Sequence, residues 1–185
     1  LPNHGLTIHF IKSETTSGDN GLRYCLYTVD GINRAEVIRK ADGTNYDASS
    51  YTIPSTITHN GVVYTVTGIR GNAFYGCTNL QTINIPNTVT RIDGNAFDGC
   101  NNLQTTNIPN SVTTIGAYAF NGCVGMTSMT LPNSVSSIGD YAFYGCSGLQ
   151  TVTIPNAVTR IGSHTFNGCS ELSTINFNAD SCTYM

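Results

Sequence analysis

Residues 115–132 read IGAYAFNGCVGMTSMTLP, and this stretch returns, slightly altered, every 23 residues. Phenylalanine stands at 74, 97, 120, 143 and 166, cysteine at 77, 100, 123, 146 and 169, and proline at 86, 109, 132 and 155, with no slippage of register. A fixed period between about 20 and 50 residues marks a solenoid, whose units are too small to bury an apolar face alone and must stack on their neighbours. The period therefore predicts architecture strongly and a ligand hardly at all.

Laid over one another from Val66, the units repeat apolar residues in columns. Val66, Val89, Val112, Val135 and Val158 form one; Ile69, Ile92, Ile115, Ile138 and Ile161 form another. Leu80, Leu103, Met126, Leu149 and Leu172 follow, then Ile85, Ile108, Leu131, Ile154 and Phe177. Each column is read as a core ladder. In Leu-x-x-Ile-x-Ile-Pro the two isoleucines are two apart and share one side of a short strand that the proline ends, so each unit is expected to give one strand to a parallel sheet. Ala-Phe-x-Gly-Cys is too compact for a second strand and suits one helical or 3₁₀ turn closing the other side of the coil. Thr106 stands where the other units carry Ile83, Met129, Val152 and Ile175, which marks either a soft spot or a buried hydroxyl bonded to the backbone.

The first third of the chain does not fit the frame. Leu6, Ile8 and Phe10 alternate as a weak strand would. LRYCLYTV (Leu22–Val29) and RAEVIR (Arg34–Arg39) flank Asp30-Gly31, and the runs Tyr51–Thr58 and Val62–Thr67 flank Asn60-Gly61. Asp-Gly and Asn-Gly between alternating runs are strong hairpin signals. Terminal units of a solenoid are usually atypical, because a raw first coil would expose apolar surface and unpaired strand edges. Residues 1–65 are accordingly assigned to an N-terminal β-hairpin cap, residues 66–178 to about five units, and residues 179–185, where the frame is lost, to the truncated start of a further segment.

Composition narrows the function classes. Only 10% of residues are charged, against roughly 25% in ordinary globular chains. The net charge is −3 and the only lysines are Lys12 and Lys40, so no basic stripe exists to follow a phosphate backbone and nucleic acid is not an expected partner. No apolar run approaches the roughly 20 residues of a spanning helix, so this segment is not expected to insert into a membrane. Five of the seven cysteines share one column, leaving Cys25 and Cys182 as singletons. Stacked cysteines project parallel side chains that do not turn toward each other, so free, buried thiols are expected. A straight row also cannot converge on a metal as a tetrahedral thiolate site requires. His4, His9, His59 and His164 show no ligand spacing, and Asp93, Asp98, Asp140 and Glu171 are scattered without a close pair for acid–base work. Neither a cofactor nor a catalytic role is assigned.

Two outward surfaces remain. On the strands, alternation places outward Thr82 and Asn84, Thr105 and Asn107, Ser128 and Thr130, Thr151 and Thr153, and Thr174 and Asn176. This short-chained, uncharged ladder could dock a repetitive surface such as a glycan, or could simply be a solvated face of β-favouring residues. On the opposite side, one column holds Asn72, Asn95, Tyr118, Tyr141 and His164, and another holds Tyr75, Asp98, Asn121, Tyr144 and Asn167. Tyr118, Tyr141, Tyr144 and His164 should therefore meet in an exposed aromatic patch, either as a binding surface or as rings packed on one another.

At these residues the chain resembles the BspA-like leucine-rich repeats, whose unit reads approximately I-G-x-x-A-F-x-x-C-x-x-L-x-x-I-x-I-P-x-x-V. The match covers about residues 66–178. It departs from the pattern at Asp93, where most units have glycine, at Thr165, which replaces the alanine before phenylalanine, and at Thr106. The resemblance implies an α/β repeat: a right-handed leucine-rich-repeat solenoid with parallel strands on one face and short helical or 3₁₀ turns on the other. It also implies a natural protein that continues past Met185, and a non-catalytic interaction or adhesion scaffold, extracellular, at the bacterial cell surface or secreted. Host or neighbouring-cell surface proteins or glycans are the implied partners, with the chain itself expected as a monomer. A structural spacer holding another domain away from the cell surface, or a carbohydrate-binding repeat surface, are the alternatives.

Overall fold

Two columns of parallel strands line the array in the computed structural model, which describes residues 9–11 and 21–178. With units counted from Val66, coils one to five contribute β7 (Thr82–Asn84), β9 (Thr105–Asn107), β11 (Ser128–Thr130), β13 (Thr151–Pro155) and β15 (Thr174–Asn178) to the expected strand column. A second ladder was not anticipated. The end of β6 (Val62–Ile69) and the two-residue strands β8 (Arg91–Ile92), β10 (Thr114–Ile115), β12 (Ser137–Ile138) and β14 (Arg160–Ile161) pair in parallel, with Ile69, Ile92, Ile115, Ile138 and Ile161 in register. Each coil thus gives two strands, because the isoleucine before the turn is itself extended and finds a like residue one coil away.

The helical or 3₁₀ turn is corrected: among the described residues there is no helix, so the α half of the α/β description falls away. The i→i−3 bonds of a 3₁₀ turn do occur, as from Ala73 N to Arg70 O and from Cys77 N to Phe74 O, both 3.1 Å. They cannot propagate, because Asn72 (φ 61°) and Gly76 (φ 68°) are left-handed, whereas a 3₁₀ run needs successive φ near −60°. The amides between those bonds donate instead to the next coil: Asn72 N to Gly94 O (3.2 Å), Phe74 N to Ala96 O (2.8 Å) and Gly76 N to Asp98 O (2.7 Å). Consecutive β-turns, laced alternately within and between coils, close each unit.

Inside, like stacks on like. Phe74, Phe97, Phe120 and Phe143 are fully buried, and successive rings through Phe166 are stacked with centroids 5.2, 5.2, 5.4 and 5.6 Å apart. Among the described cysteines every thiol is free. From coil two onward each ladder thiol donates to the phenylalanine carbonyl of the coil before it, as Cys100 Sγ to Phe74 O at 3.1 Å and Cys146 Sγ to Phe120 O at 3.0 Å. Burial pushes the Cys123 thiol above its ordinary value, so it stays protonated and unreactive. Cys182 lies outside the described residues.

The cap meets the array through two strands and a charged clasp. β2 (Arg23–Val29) and β3 (Ile32–Ile38) form the first expected hairpin, and β5 (Thr56–His59) with β6 forms the second, each turning on a left-handed pair, Asp30-Gly31 and Asn60-Gly61. β1 (His9–Ile11) pairs with β2, while the rest of residues 1–20 lie outside the described part. The run Tyr51–Thr58 is divided at Pro54: β4 (Ser50–Thr52) joins β7 as the first rung of the strand column, since proline cannot donate to a ladder. Tyr46 and Tyr51 end the phenylalanine stack, Tyr46 lying 5.1 Å from the Phe74 ring. The Tyr46 hydroxyl donates to Ile38 O (2.6 Å) and accepts from Arg23 N (3.0 Å), and burial pushes its phenol up to about 12.

Glu36 of β3, with its side chain 2% exposed, accepts from Arg70 Nε at 2.6 Å, from Arg91 Nη2 at 2.5 Å and from the Tyr27 hydroxyl at 2.8 Å. The carboxylate ties the hairpin to coils one and two. Asp93, which departs from the repeat pattern, lies 3.6 Å from Arg91 Nε in the same network, and burial raises its carboxyl above the ordinary range. Thr165 is likewise accounted for, since its buried hydroxyl donates to Gly162 O at 2.7 Å.

Thr106 behaves as the soft spot. Its hydroxyl oxygen is buried without a partner, and the strand column divides there into two three-stranded sheets, β4-β7-β9 and β11-β13-β15. The backbone-bonded hydroxyl is not what forms.

Candidate aromatic edge on coils three to five

The turn that begins each coil sets the aromatic column. Ala119 N bonds Gly116 O, and Ala142 N bonds Gly139 O, placing Tyr118 and Tyr141 third in their four-residue turns with φ of 59° and 58°. A positive φ at that position defines a type II turn, where glycine or asparagine is favoured. Coils one and two follow the rule with Asn72 and Asn95, while coils three to five set Tyr118, Tyr141 and His164 (φ 55°) there. For a residue with a bulky Cβ substituent the left-handed region costs roughly 1–2 kcal/mol.

A glycine column accompanies the change. Gly116, Gly139 and Gly162 stand where coils one and two carry Arg70 and Asp93. A Cβ added at Gly116 would collide with the backbone of Asp93 and Gly94, and one at Gly139 with that of Gly116 and Ala117. The backbones approach closely because these residues have no side chain.

All four predicted aromatic residues come together. Tyr118 and Tyr141 stack at 4.7 Å with planes 3° apart; the His164 ring lies 4.9 Å from Tyr141, and Tyr144 5.6 Å from it. Tyr118 is 37% and Tyr144 40% exposed, His164 is exposed and Tyr141 half-buried. The ring faces are thus largely spent on one another, and the cluster offers the outside its edges and polar tips. Asp140 borders it, accepting from Ser163 N at 2.9 Å with Arg160 Nη2 at 3.5 Å. Asp98, one coil toward the cap, accepts from Asn121 Nδ2 at 2.9 Å, and burial lifts its carboxyl. Tyr75, in the Tyr144 column, sits in coil one beneath the Arg39 guanidinium at 5.3 Å.

The alternative sheet face is less uniform than its sequence. Asn107, Ser128 and Thr130 are exposed, Thr151 and Thr153 half-buried, and the Thr105 side chain lies outside the described part. The face is interrupted between Asn107 and Ser128, where the two sheets part. Among the described residues no group of three or more His, Cys, Asp or Glu converges as a metal site would need.

Stacked coils of 23 residues with parallel strands in columns and apolar ladders within define a leucine-rich-repeat solenoid. A model of the BspA type leucine rich repeat region matches residues 67–185 in six copies, and the chain belongs to that family. It is similar to the crystal structure of a leucine-rich repeat protein from Bacteroides ovatus, with 33% identity and a TM-score of 0.74 over 86% of this chain and 40% of that one. A T. pallidum leucine rich repeat protein is 31% identical, with a TM-score of 0.75 over 88% and 71% of the two chains. A leucine rich cell surface protein of Faecalibacterium prausnitzii is 26% identical, with a TM-score of 0.71 over 85% and 38%. The chain therefore spans two-fifths of the Bacteroides protein's length. Among curated proteins, no match is found.

Proposed function

We propose that this chain is a non-catalytic recognition scaffold of a bacterial cell-surface or secreted protein, and that it meets a protein partner on a host or neighbouring cell through Tyr118, Tyr141, Tyr144 and His164. The observation that carries this reading is the left-handed column. Asparagine fills that position at lower cost in coils one and two, whereas coils three to five hold three aromatic rings there. Non-glycine residues held in left-handed conformations cluster at ligand clamps and functional sites. Tyrosine is enriched among residues that dominate protein interfaces, which suits contact by ring edges and hydroxyls. The surface setting is supported by the Faecalibacterium relative, which is described as a cell surface protein.

The test is a triple substitution, Tyr118→Asn, Tyr141→Asn and His164→Asn, which copies coils one and two and leaves the turn conformation comfortable. Immobilised chain is challenged with proteins extracted from host matrix and mucus, and its folding is checked by circular dichroism. Retention by the original chain and its loss in a folded variant is the expected result. Equal retention by both would refute the patch, and no retention by either would favour the spacer reading.

A further inference from the structure

We propose that the array is jointed: coils one and two, clasped to the cap, form one block, coils three to five form another, and the two hinge at the junction of β9 and β11. This goes beyond the recognition reading and does not depend on any partner.

The junction is open on one side and closed on the other. On the strand side, Gln104 N donates to Gln81 O (3.0 Å), Gln150 N to Thr127 O (2.8 Å) and Ser173 N to Gln150 O (3.1 Å), each residue bonding its equivalent one coil back. Among the described residues the matching bond from Thr127 N to Gln104 O is missing, and no ladder joins β9 to β11. On the other side nothing is interrupted. Thr114 and Ile115 pair with Arg91 and Ile92, and Asn95 N, Phe97 N and Gly99 N donate to Ala117 O, Ala119 O and Asn121 O of the third coil, at 2.9, 2.8 and 2.8 Å. The intact turns and the short second ladder therefore act as the hinge line, and the strand column is where the joint opens.

Thr106 supplies the cause. Its neighbours in the column, Ile83, Met129 and Val152, are 2%, 3% and 0% exposed. Closing the strands at Thr106 would set a hydroxyl between apolar side chains, and that oxygen already has no hydrogen-bond partner. An unsatisfied buried hydroxyl is costly, and bending at this coil would relieve that cost by opening the oxygen to water, which no closed strand column allows. The two blocks also differ in construction. Arg70 and Arg91 bind coils one and two to Glu36, whereas the glycine column and the aromatic rings begin at coil three. Bending at the joint would change the angle at which the aromatic edge is offered relative to the cap.

Nuclear magnetic resonance on the whole chain tests this by amide exchange and by residual dipolar couplings. The Thr127 amide should exchange at least about tenfold faster than those of Gln104 and Gln150, as a locally open site does. Couplings from the two blocks should require different alignment tensors. Thr106→Ile should slow Thr127 toward its equivalents and let one tensor describe both blocks; Thr106→Val, closer in volume, serves if isoleucine overpacks. Equal protection of the three amides in the original chain, a single tensor for both of its blocks, or no change in either folded variant would overturn the proposal.

Discussion

Replacing Phe120 by alanine removes the middle rung of the aromatic ladder. The ring is 0% exposed and lies between Phe97 at 5.2 Å and Phe143 at 5.4 Å, nearly parallel to both. Phenylalanine-to-alanine changes in cores cost about 3–5 kcal/mol, the spread reflecting how far the surroundings can collapse. Here collapse is resisted from both directions. Phe97 N donates to Ala119 O and Phe120 N to Ala142 O, each at 2.8 Å, so the coil spacing is fixed by backbone bonds beside the void. The upper half of that range, about 4–5 kcal/mol, is therefore expected. Because repeat arrays gain much of their stability from contacts between neighbours, both interfaces of coil three are weakened together. Chemical denaturation followed by circular dichroism under reducing conditions measures the loss, with Val124→Ala as a control in the same coil, where the side chain is 43% exposed and the change should be within about 0.5 kcal/mol. A loss below about 1.5 kcal/mol at Phe120 would show that the ladder is not what holds the coils together.

Two further changes separate effects the fold combines. Gly139→Ala drives a Cβ into the backbone of Gly116 and Ala117, whereas Gly145→Ala (φ 67°) meets nothing nearer than 3.9 Å and suffers only its left-handed conformation. Overpacking against a backbone that cannot yield should cost about 3 kcal/mol or more, against roughly 1–2 for the conformational strain alone, and denaturation midpoints in the reverse order would contradict the close-approach reading. The Asp98 carboxyl is raised in the folded chain, chiefly by burial, so the fold holds its proton more tightly than the unfolded chain does. Its contribution is then fully present below the ordinary carboxylate range and is lost as pH rises through the raised value. Asp98→Asn should accordingly melt higher than the original chain near neutral pH and no higher at about pH 3, below both values; a difference that stays constant with pH would remove burial as the cause.

Much of this was legible in the sequence because a solenoid writes its geometry as a period. The columns headed by Val66, Ile69, Leu80 and Ile85 are core through coil four because identical residues must stack when identical coils do, while Ile161 and Phe177 of coil five are exposed, and Thr106 stands out in the sequence as an intruder. The closing turn was not legible. Ala-Phe-x-Gly-Cys announces something compact, but whether its amides bond within the coil or to the next depends on the neighbouring backbone, which a single unit does not encode. Nor was the left-handed backbone at Tyr118, Tyr141 and His164 evident, since it runs against those residues' own preference. Asn72 and Asn95 in the same column were the available signal. The clasp was hidden by distance along the chain, Glu36 lying 34 residues from Arg70 and 55 from Arg91.

The clasp also bears on why the aromatic edge starts where it does. Arg70 and Asp93 occupy the column that becomes Gly116, Gly139 and Gly162, and both serve the carboxylate that fastens the cap. A coil committed to that network cannot also use glycine there, whereas coils three to five carry glycines whose missing Cβ would collide with the backbone of the coil before. It is in the glycine-bearing coils that Tyr118 and Tyr141 stack at 4.7 Å, tighter than any pair in the phenylalanine ladder. Anchoring and aromatic display thus make opposite demands on one position of the repeat, and the array meets them by dividing its coils. The division falls between the second coil and the third, at the same junction where Thr106 leaves the strand column unzipped.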